Sequence, residues 1–263
     1  MRNLIKRTIL CCLASFASFF LSCAFDMGSL KVEKSLPAEK LARYNDSFDS
    51  LRDDIWGKIG YIRNVYRKTN FKWADVRVES GQLKVETKTG SFSQGGIQSH
   101  FYFRGDFDIQ VDCAVYFLKD NDEIDQGVRL IGADKTADLE NDAVENIILE
   151  LSKRGKNPVF IVGGYHEKGK WNRRHLKEIG NFYQGTLRIV RIGRQVTLLY
   201  KSTGEMEWQK ACSFFRPSYD TTVTLKVQNF IGDTIITEAK ATFSAQFDNF
   251  RVNAAQEIIE DEI

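Results

Sequence analysis

Asp106–Leu118, with the sequence DFDIQVDCAVYFL, is the stretch that decides the fold class. Apolar side chains occupy every second position, and Asp108, Gln110 and Asp112 stand between them. Successive side chains of a β-strand point to opposite faces of its sheet. The alternation therefore predicts a long strand with one buried face and one solvated face.

Similar runs lie on both sides of this strand. Asp75–Glu79 and Leu83–Thr87 alternate around the turn Ser80-Gly81-Gln82, which predicts a hairpin. A short helix is predicted from Pro37 to Arg43. Further strands are predicted at Ile97–Phe103, Gly127–Ala133, Asn146–Ser152, Pro158–Gly163, Gly185–Arg191, Gln195–Lys201, Thr221–Asn229 and Ala239–Val252. We therefore expect an all-β fold, a two-sheet antiparallel β-sandwich with a short N-terminal helical or irregular segment.

The N-terminus has the pattern of a secretory signal. Arg2, Lys6 and Arg7 precede an uncharged, mostly apolar run from Thr8 to Leu21. This run is too short to span the roughly 30 Å of a bilayer's hydrocarbon core comfortably, but it suits the apolar region of a signal peptide. Residues 1–22 are therefore predicted to be a signal peptide.

The end of this signal resembles a bacterial lipobox, in which a cysteine is lipidated and becomes the first mature residue. Ser22-Cys23-Ala24 carries the resemblance, although Phe20 stands where Leu is usual. It implies lipidation at Cys23 and membrane contact through that lipid alone. Cleavage after Ala24, giving a secreted protein, and a buried N-terminal helix are the alternatives. The expected location is outside the cytoplasm, anchored in the cell envelope or secreted.

Composition and charge limit the possible partners. Removing the three signal cations leaves 34 Lys and Arg against 35 acidic residues, so the mature chain is close to neutral. Nucleic-acid binding usually needs a basic excess, so no nucleic-acid partner is expected. Residues 23–54 are predicted to be a tether or spacer, or a strap on the domain. Residues 55–254 are predicted to form the β-domain, and residues 255–263 an acidic C-terminal tail.

Two cysteines, Cys113 and Cys212, remain after the signal. They fit either one disulfide across the sandwich or two small buried thiols, and the sequence leaves both open.

Several segments resemble the concanavalin A-like lectin/glucanase group, which includes laminin-G-like jelly rolls. They are Gly95-Gly96-Ile97, Gly105–Val111, Gly185–Arg191 with the strand Gln195–Tyr200 and Trp208, and the ending Phe247–Val252. The resemblance covers roughly residues 60–253. It implies a two-sheet jelly roll whose concave face or rim loops hold sugar. Members include lectins, carbohydrate-binding modules, adhesion modules and retaining glucanases, so the resemblance does not fix the activity.

Glucanases of this group carry Glu-x-Asp-x-(x)-Glu on one strand, which aims both catalytic carboxylates into the same groove. Glu123-Ile124-Asp125 begins this pattern, but Gln126-Gly127 follows and the second glutamate is missing. Glu123 and Asp125 are therefore weak catalytic candidates, and an acidic turn is the favoured interpretation.

Asp120, Asp122 and Asp125 offer hard oxygen ligands of the kind that calcium prefers. Ile124 and the missing glycine at position 125 break the EF-hand spacing, so this is a weak calcium candidate. No other cofactor is predicted.

A polar, aromatic-bearing segment is predicted to be a long loop and supplies the ligand-binding candidates. Trp171 can stack on a sugar ring while arginine and histidine side chains bond its hydroxyls. The candidates are Tyr165, His166, Trp171, Arg173 and His175. A solvated charged loop is the alternative.

Trp208 beside Glu205 and Glu207 is a second tryptophan next to acidic residues. It is interpreted as packed in the core rather than as a sugar platform.

The main functional prediction is a non-catalytic module that binds carbohydrate or another extracytoplasmic polymer. A glycoside hydrolase of the same fold is the first alternative. An adhesion or structural module with a protein partner is the second.

Overall fold

The computed structural model describes residues 30–59, 71–90, 92–119, 124–135, 146–167, 170–231 and 241–261. From Val32 onward these residues belong to one compact unit. In the described part of the chain, no helix is both long and apolar enough to cross a membrane.

Strands dominate the described residues. A short helix, α1 (Ala38–Leu41), and a 3-10 turn (Ala42–Tyr44) come first. The strands are β1 (Trp56–Lys58), β2 (Phe71–Trp73), β3 (Asp75–Glu79), β4 (Gln82–Glu86), β5 (Phe92–Tyr116), β6 (Ile124–Asp134), β7 (Asn146–Arg154), β8 (Val159–Glu167), β9 (Lys170–Ile179), β10 (Phe182–Ile192), β11 (Gln195–Ser202), β12 (Gln209–Phe215), β13 (Thr221–Ile231) and β14 (Ser244–Glu260).

The decisive strand is longer than predicted. β5 joins the two predicted strands that flank Arg104-Gly105, and Gly105 bends the backbone at φ +81° instead of ending the strand. The first half of β5 pairs with β13, and the second half pairs with β10 and β14. β5 therefore belongs to both layers of the fold.

The two layers share β5. Layer one runs β5-β13-β6-β7-β8-β9, and layer two runs β12-β11-β10-β5-β14-β4-β3. Neighbouring strands in these orders are antiparallel. The layers pack closely, because a Cβ added to Gly163 of β8 would lie 2.6 Å from the Cys212 sulfur of β12. The predicted all-β, two-sheet antiparallel sandwich is confirmed.

The core lies between the layers, as the alternating pattern requires. Val128, Leu149 and Leu225 enter it from layer one, and Val111 and Leu187 enter it from layer two. Every second residue from Phe107 to Val115 is buried, which confirms the predicted buried face of the deciding strand.

Cys113 and Cys212 are both free thiols, and both are buried. The buried-thiol alternative is thus the one found. Burial raises the pKa of the Cys212 thiol to about 11, so this sulfur is a weak nucleophile.

The tether prediction is wrong for the described residues of 23–54 that precede β1. Leu41, Tyr44 and Phe48 are buried in the core beside Trp56, and Asp46 pairs with the backbone of Phe250 in β14. This segment is a strap on the domain, and the predicted boundary at residue 55 is too late. The predicted signal peptide and Cys23 lie outside the described residues.

The acidic-tail prediction at 255–263 is also wrong for most of its length. β14 continues to Glu260, Ala255 is fully buried, and Ile258 pairs with Phe103. The Tyr44 hydroxyl donates a hydrogen bond to the Glu260 carboxylate at 2.9 Å. Residues 255–260 therefore form part of the sheet because their alternate side chains pack on β5 and the strap.

Candidate functional site

The candidate site lies on the side of layer one that faces away from the core, which we call the polar face. On β13, β6 and β7, residues that point away from the core alternate with the core residues. Three of these outward-pointing residues are charged and lie side by side: Lys226 pairs with Arg129, and Arg129 pairs with Glu150. Cross-strand partners place their side chains on the same face of a sheet. Three charged side chains thus form a row across three neighbouring strands.

Glu150 is the centre of the charge cluster. It is 1% exposed, and its two oxygens contact the Arg129 guanidinium at 2.9 Å and the Arg173 guanidinium at 3.4 Å. Burial opposes ionisation of Glu150, but the charges of Arg129 and Arg173 outweigh it and lower its pKa below the usual value. Glu150 is therefore held as a carboxylate between two cations.

Two glycines leave room for this cluster. A Cβ on Gly127 would lie 2.5 Å from a Glu150 carboxylate oxygen. A Cβ on Gly164 would lie 2.0 Å from the backbone oxygen of Asn172 in β9. β8 and β9 can approach each other at this point only because Gly164 has no side chain.

Trp171 forms the exposed part of the site. Its side chain is 48% exposed, and the Arg173 guanidinium carbon lies 4.0 Å from its ring centroid. The His166 ring lies 4.4 Å from the same tryptophan on the paired strand. An indole surface flanked by hydrogen-bond donors is a suitable platform for a sugar ring.

The structure brings together three of the five predicted ligand residues: His166, Trp171 and Arg173. His175 lies on the same face, further along β9, against the ring of Phe160 at 5.2 Å. Tyr165 points to the opposite side of β8 and contacts Phe214 at 4.9 Å. The predicted long loop is wrong, because these residues lie on the paired strands β8 and β9.

The pKa values of Lys226 and Arg173 are both lowered by their surroundings. Burial and the Arg129 charge lower the pKa of Lys226 to about 7. Burial, only partly offset by Glu150, lowers the pKa of Arg173 to about 10, and the charges of Arg129 and Arg154 add to this effect. Crowded positive charge thus marks this part of the polar face.

The catalytic candidates are only partly within the described residues. Asp125 is the second residue of β6, lies on the polar face and pairs in register with Arg154. Burial raises the pKa of Asp125, and the Arg154 charge opposes that rise. Glu123, Asp120 and Asp122 lie outside the described residues. Among the residues that are described, no group of three or more His, Cys, Asp or Glu side chains is placed to hold a metal.

Asp125 and Glu150 are separated along the strands. Asp125 stands four residues from Arg129, the partner of Glu150, which corresponds to about 13 Å along β6. A glycosidase acid must be able to gain and lose a proton. The ion-paired Glu150 does not fit that role.

Sequence reasoning missed Arg129, Glu150 and Lys226. Each is a single charged residue inside an otherwise apolar run, as in Val128-Arg129-Leu130 and Leu149-Glu150-Leu151. A single charged residue in such a run indicates that this position points away from the core, towards a polar face of the sheet. The signal does not say which strands are neighbours.

The prediction that Trp208 is packed in the core is wrong. Trp208 is half-buried near layer two, and the Arg188 guanidinium carbon and the Lys201 ammonium each lie 5.0 Å from its ring. Glu205 lies nearby and forms an ion pair with Lys177 at 3.5 Å. Trp208 therefore has the same kind of neighbours as Trp171 but belongs to a different surface.

No protein-family model and no curated protein sequence matches the chain. Solved structures do match. LamA from Zobellia galactanivorans, bound to laminaritriose and laminaritetraose, has a TM-score of 0.59 at 10% identity over 84% of this chain and 99% of that chain. The chain has the jelly-roll fold of these glycoside hydrolases.

Two further structures show the same jelly roll. One is described with endo-acting O-glycanases of the human gut microbiota, with a TM-score of 0.57 at 14% identity over 83% of this chain and 99% of that chain. The other is a pseudo β-1,3-glucanase of Mycobacterium tuberculosis, with a TM-score of 0.56 at 10% identity over 83% and 98% of the two chains. The TM-scores establish the concanavalin A-like fold that the sequence predicted. At identities this low, the similarity shows the fold and nothing about activity.

Proposed function

We propose that this jelly roll binds a glycan on its polar face without cleaving it. The observation that carries the proposal is Trp171, a half-exposed indole held between Arg173 and His166 at the edge of an otherwise well-buried charged face. An aromatic platform with fixed polar groups is the usual chemistry of a sugar-binding site. LamA, which shares the fold, is bound to glucan oligosaccharides.

The absence of cleavage rests on the state of Glu150. A general acid must be protonated at the working pH, and two arginines keep Glu150 ionised. Asp125 and the exposed Glu178 are further carboxylates of this face, and the backbone position of Asp125 is about 13 Å along the strands from that of Arg129, the partner of Glu150.

A glycoside hydrolase of the same fold is the second candidate. The structures that share this fold include hydrolases, and burial raises the pKa of Asp125 in the direction that a general acid needs. Incubation with laminarin and with mucin O-glycans, followed by a reducing-sugar assay, separates the two functions. Release of sugar that is lost in Asp125→Asn would establish the hydrolase.

Trp171→Ala is expected to weaken glycan binding about five- to thirtyfold, because a stacked aromatic anchor contributes about 1 to 2 kcal/mol. Affinity electrophoresis against a panel of soluble polysaccharides measures the effect. Trp208→Ala is the matched control, since Trp208 also has an arginine and a lysine near its ring but lies near layer two. Equal losses in both variants, or retention of binding in Trp171→Ala, would contradict the proposed site.

We also propose that the chain is exported and anchored by a lipid at Cys23. The basic segment ending at Arg7, the apolar run 8–21 and the cysteine after Ser22 support the proposal. Radiolabelled palmitate is expected to label the chain expressed in a bacterium, and Cys23→Ala is expected to abolish the label. Export with no label in either chain would favour cleavage after Ala24 and secretion.

A further inference from the structure

The positive charges around Glu150 exceed the negative charges. The electrostatically coupled groups are Arg129, Arg154, Arg173 and Lys226 on one side and Asp125 and Glu150 on the other. The three arginines less the two carboxylates leave a net charge of +1, which rises to +2 when Lys226, whose pKa is about 7, is protonated. The chain outside the predicted signal is close to neutral, so this excess is local.

The cations are placed where they repel one another. Lys226 on β13 stands directly opposite Arg129 on β6, and like charges in that arrangement destabilise a sheet. Lys226 has no hydrogen-bond or ion-pair partner among the described residues. The Nε atoms of Arg129 and Arg173 are buried and also lack an acceptor there. An anion bound beside Lys226 would relieve the repulsion between the two cations.

The charged surface is also extended. From Lys226 on β13 to Trp171 on β9 there are four strand spacings, or about 19 Å across the sheet. Arg129 and Glu150 lie on strands between these two ends, and the Arg173 side chain reaches from β9 to Glu150. A single small anion contacts only one end of this row, whereas a polymer with repeated anionic groups can contact the partly exposed Lys226 and Arg173 together.

We propose that the ligand of the polar face is a polyanionic glycan, a polysaccharide that carries carboxylate or sulfate groups. The proposal rests on the proposed glycan-binding function and adds the chemical class of the ligand. Trp171 stacks on a sugar ring of this polymer. Lys226 and Arg173 contact its anionic groups, and Glu150 holds the two arginines in place from below.

The inference predicts a charge-dependent preference. The native chain is expected to bind polygalacturonate or dextran sulfate at least about tenfold more tightly than neutral dextran or laminarin, and to lose affinity as salt is raised. Isothermal titration calorimetry with these four probes measures the preference. Tighter binding of polygalacturonate identifies carboxylate as the anionic group, and tighter binding of dextran sulfate identifies sulfate.

Lys226→Gln is expected to weaken binding of the anionic probe about three- to tenfold and to flatten its salt dependence. Lys201→Gln is the matched control, because it removes a lysine charge from layer two, near Trp208, and it should leave affinity unchanged. Lys226→Gln should fold at least as well as the native chain, since the like-charge pair with Arg129 is removed. A thermal unfolding curve checks this.

The outcomes distinguish the polyanionic ligand from the glycan-binding function on which it rests. Binding of neutral and anionic glycans with equal affinity, unchanged in Lys226→Gln but lost in Trp171→Ala, overturns the polyanion and leaves the glycan-binding proposal standing. No binding of any of the four probes overturns both.

Discussion

Glu150→Gln is expected to lower the free energy of unfolding by about 3 to 5 kcal/mol. Glu150 is 1% exposed, and it is the shared anionic partner of Arg129 and Arg173, whose guanidinium groups are themselves largely buried. A neutral glutamine keeps the shape but leaves two cations uncompensated in a poorly solvated environment. Most of the loss comes from these unpaired charges rather than from the contacts themselves.

Urea denaturation followed by tryptophan fluorescence measures the loss. Glu178→Gln is the matched control, because Glu178 lies on β9 but is exposed, and surface substitutions change stability by about 0.5 kcal/mol or less. A Glu150→Gln chain as stable as the control would mean that the arginines are stabilised by other groups, and that Glu150 does not organise the polar face.

The same contact gives stability a pH dependence of known sign. The pKa of Glu150 is lowered on folding, so the unfolded chain binds a proton at this carboxyl more readily than the folded chain does. The contribution of Glu150 to the free energy of unfolding is therefore complete above its pKa in the unfolded chain, about 4.3. It is lost as the pH falls through the folded pKa. The stability difference between the native chain and Glu150→Gln should therefore narrow below about pH 4.

A chain that begins at Ile55 is expected not to reach the native fold, although the sequence pattern places the domain boundary there. This truncation removes Leu41, Tyr44 and Phe48 from the core. Each buried apolar side chain contributes about 1.5 to 3 kcal/mol, and a whole domain is stable by only about 5 to 15 kcal/mol.

The truncation also breaks a buried polar contact. The Trp56 indole nitrogen donates to the Asp46 carboxylate at 2.9 Å, and Trp56 packs edge-on against Phe250 with ring centroids 5.0 Å apart. Without residues 32–54, Trp56 keeps its apolar neighbour but loses its acceptor, and an unsatisfied buried donor costs about 1 to 3 kcal/mol.

Near-UV circular dichroism reports the packing of Trp56, and urea denaturation reports cooperativity. The control is a chain that begins at Val32, where the compact unit starts, and it should unfold with the midpoint of the full chain. If the chain that begins at Ile55 has the same midpoint and the same aromatic signal, the strap is dispensable and the tether prediction holds after all.

The strands with alternating apolar residues were predicted from sequence with the right type. In the second half of β5 and in β13, every second residue is apolar because one face enters the core. β9 has no such pattern, because it lies at the edge of layer one and its side chains are exposed or half-exposed on both faces. Its charged sequence was therefore interpreted as a loop, although its backbone is fully paired with β8.

The C-terminal strand and the strap were misjudged for a related reason. Ala255 and Ile258 of β14 sit among charged neighbours and look like a tail, but β5 is long enough to pair with them. Tyr44 and Phe48 lie in a polar segment with weak strand character. Their burial depends on partners more than fifty residues away.

The sequence by itself determined the all-β class and the alternation that defines the core, because period-two patterning is local to each strand. It also pointed to Trp171, His166 and Arg173, because an aromatic residue among polar ones stands out without knowledge of the fold. Only the tertiary structure decided which strands are neighbours. Glu150 contacts Arg129 because β7 pairs with β6, and it contacts Arg173 because only β8 lies between β7 and β9. Lys226 lies opposite Arg129 because β13 pairs with β6. Such pairings depend on register and on packing between distant segments, and they turn separate single charges into one cationic surface.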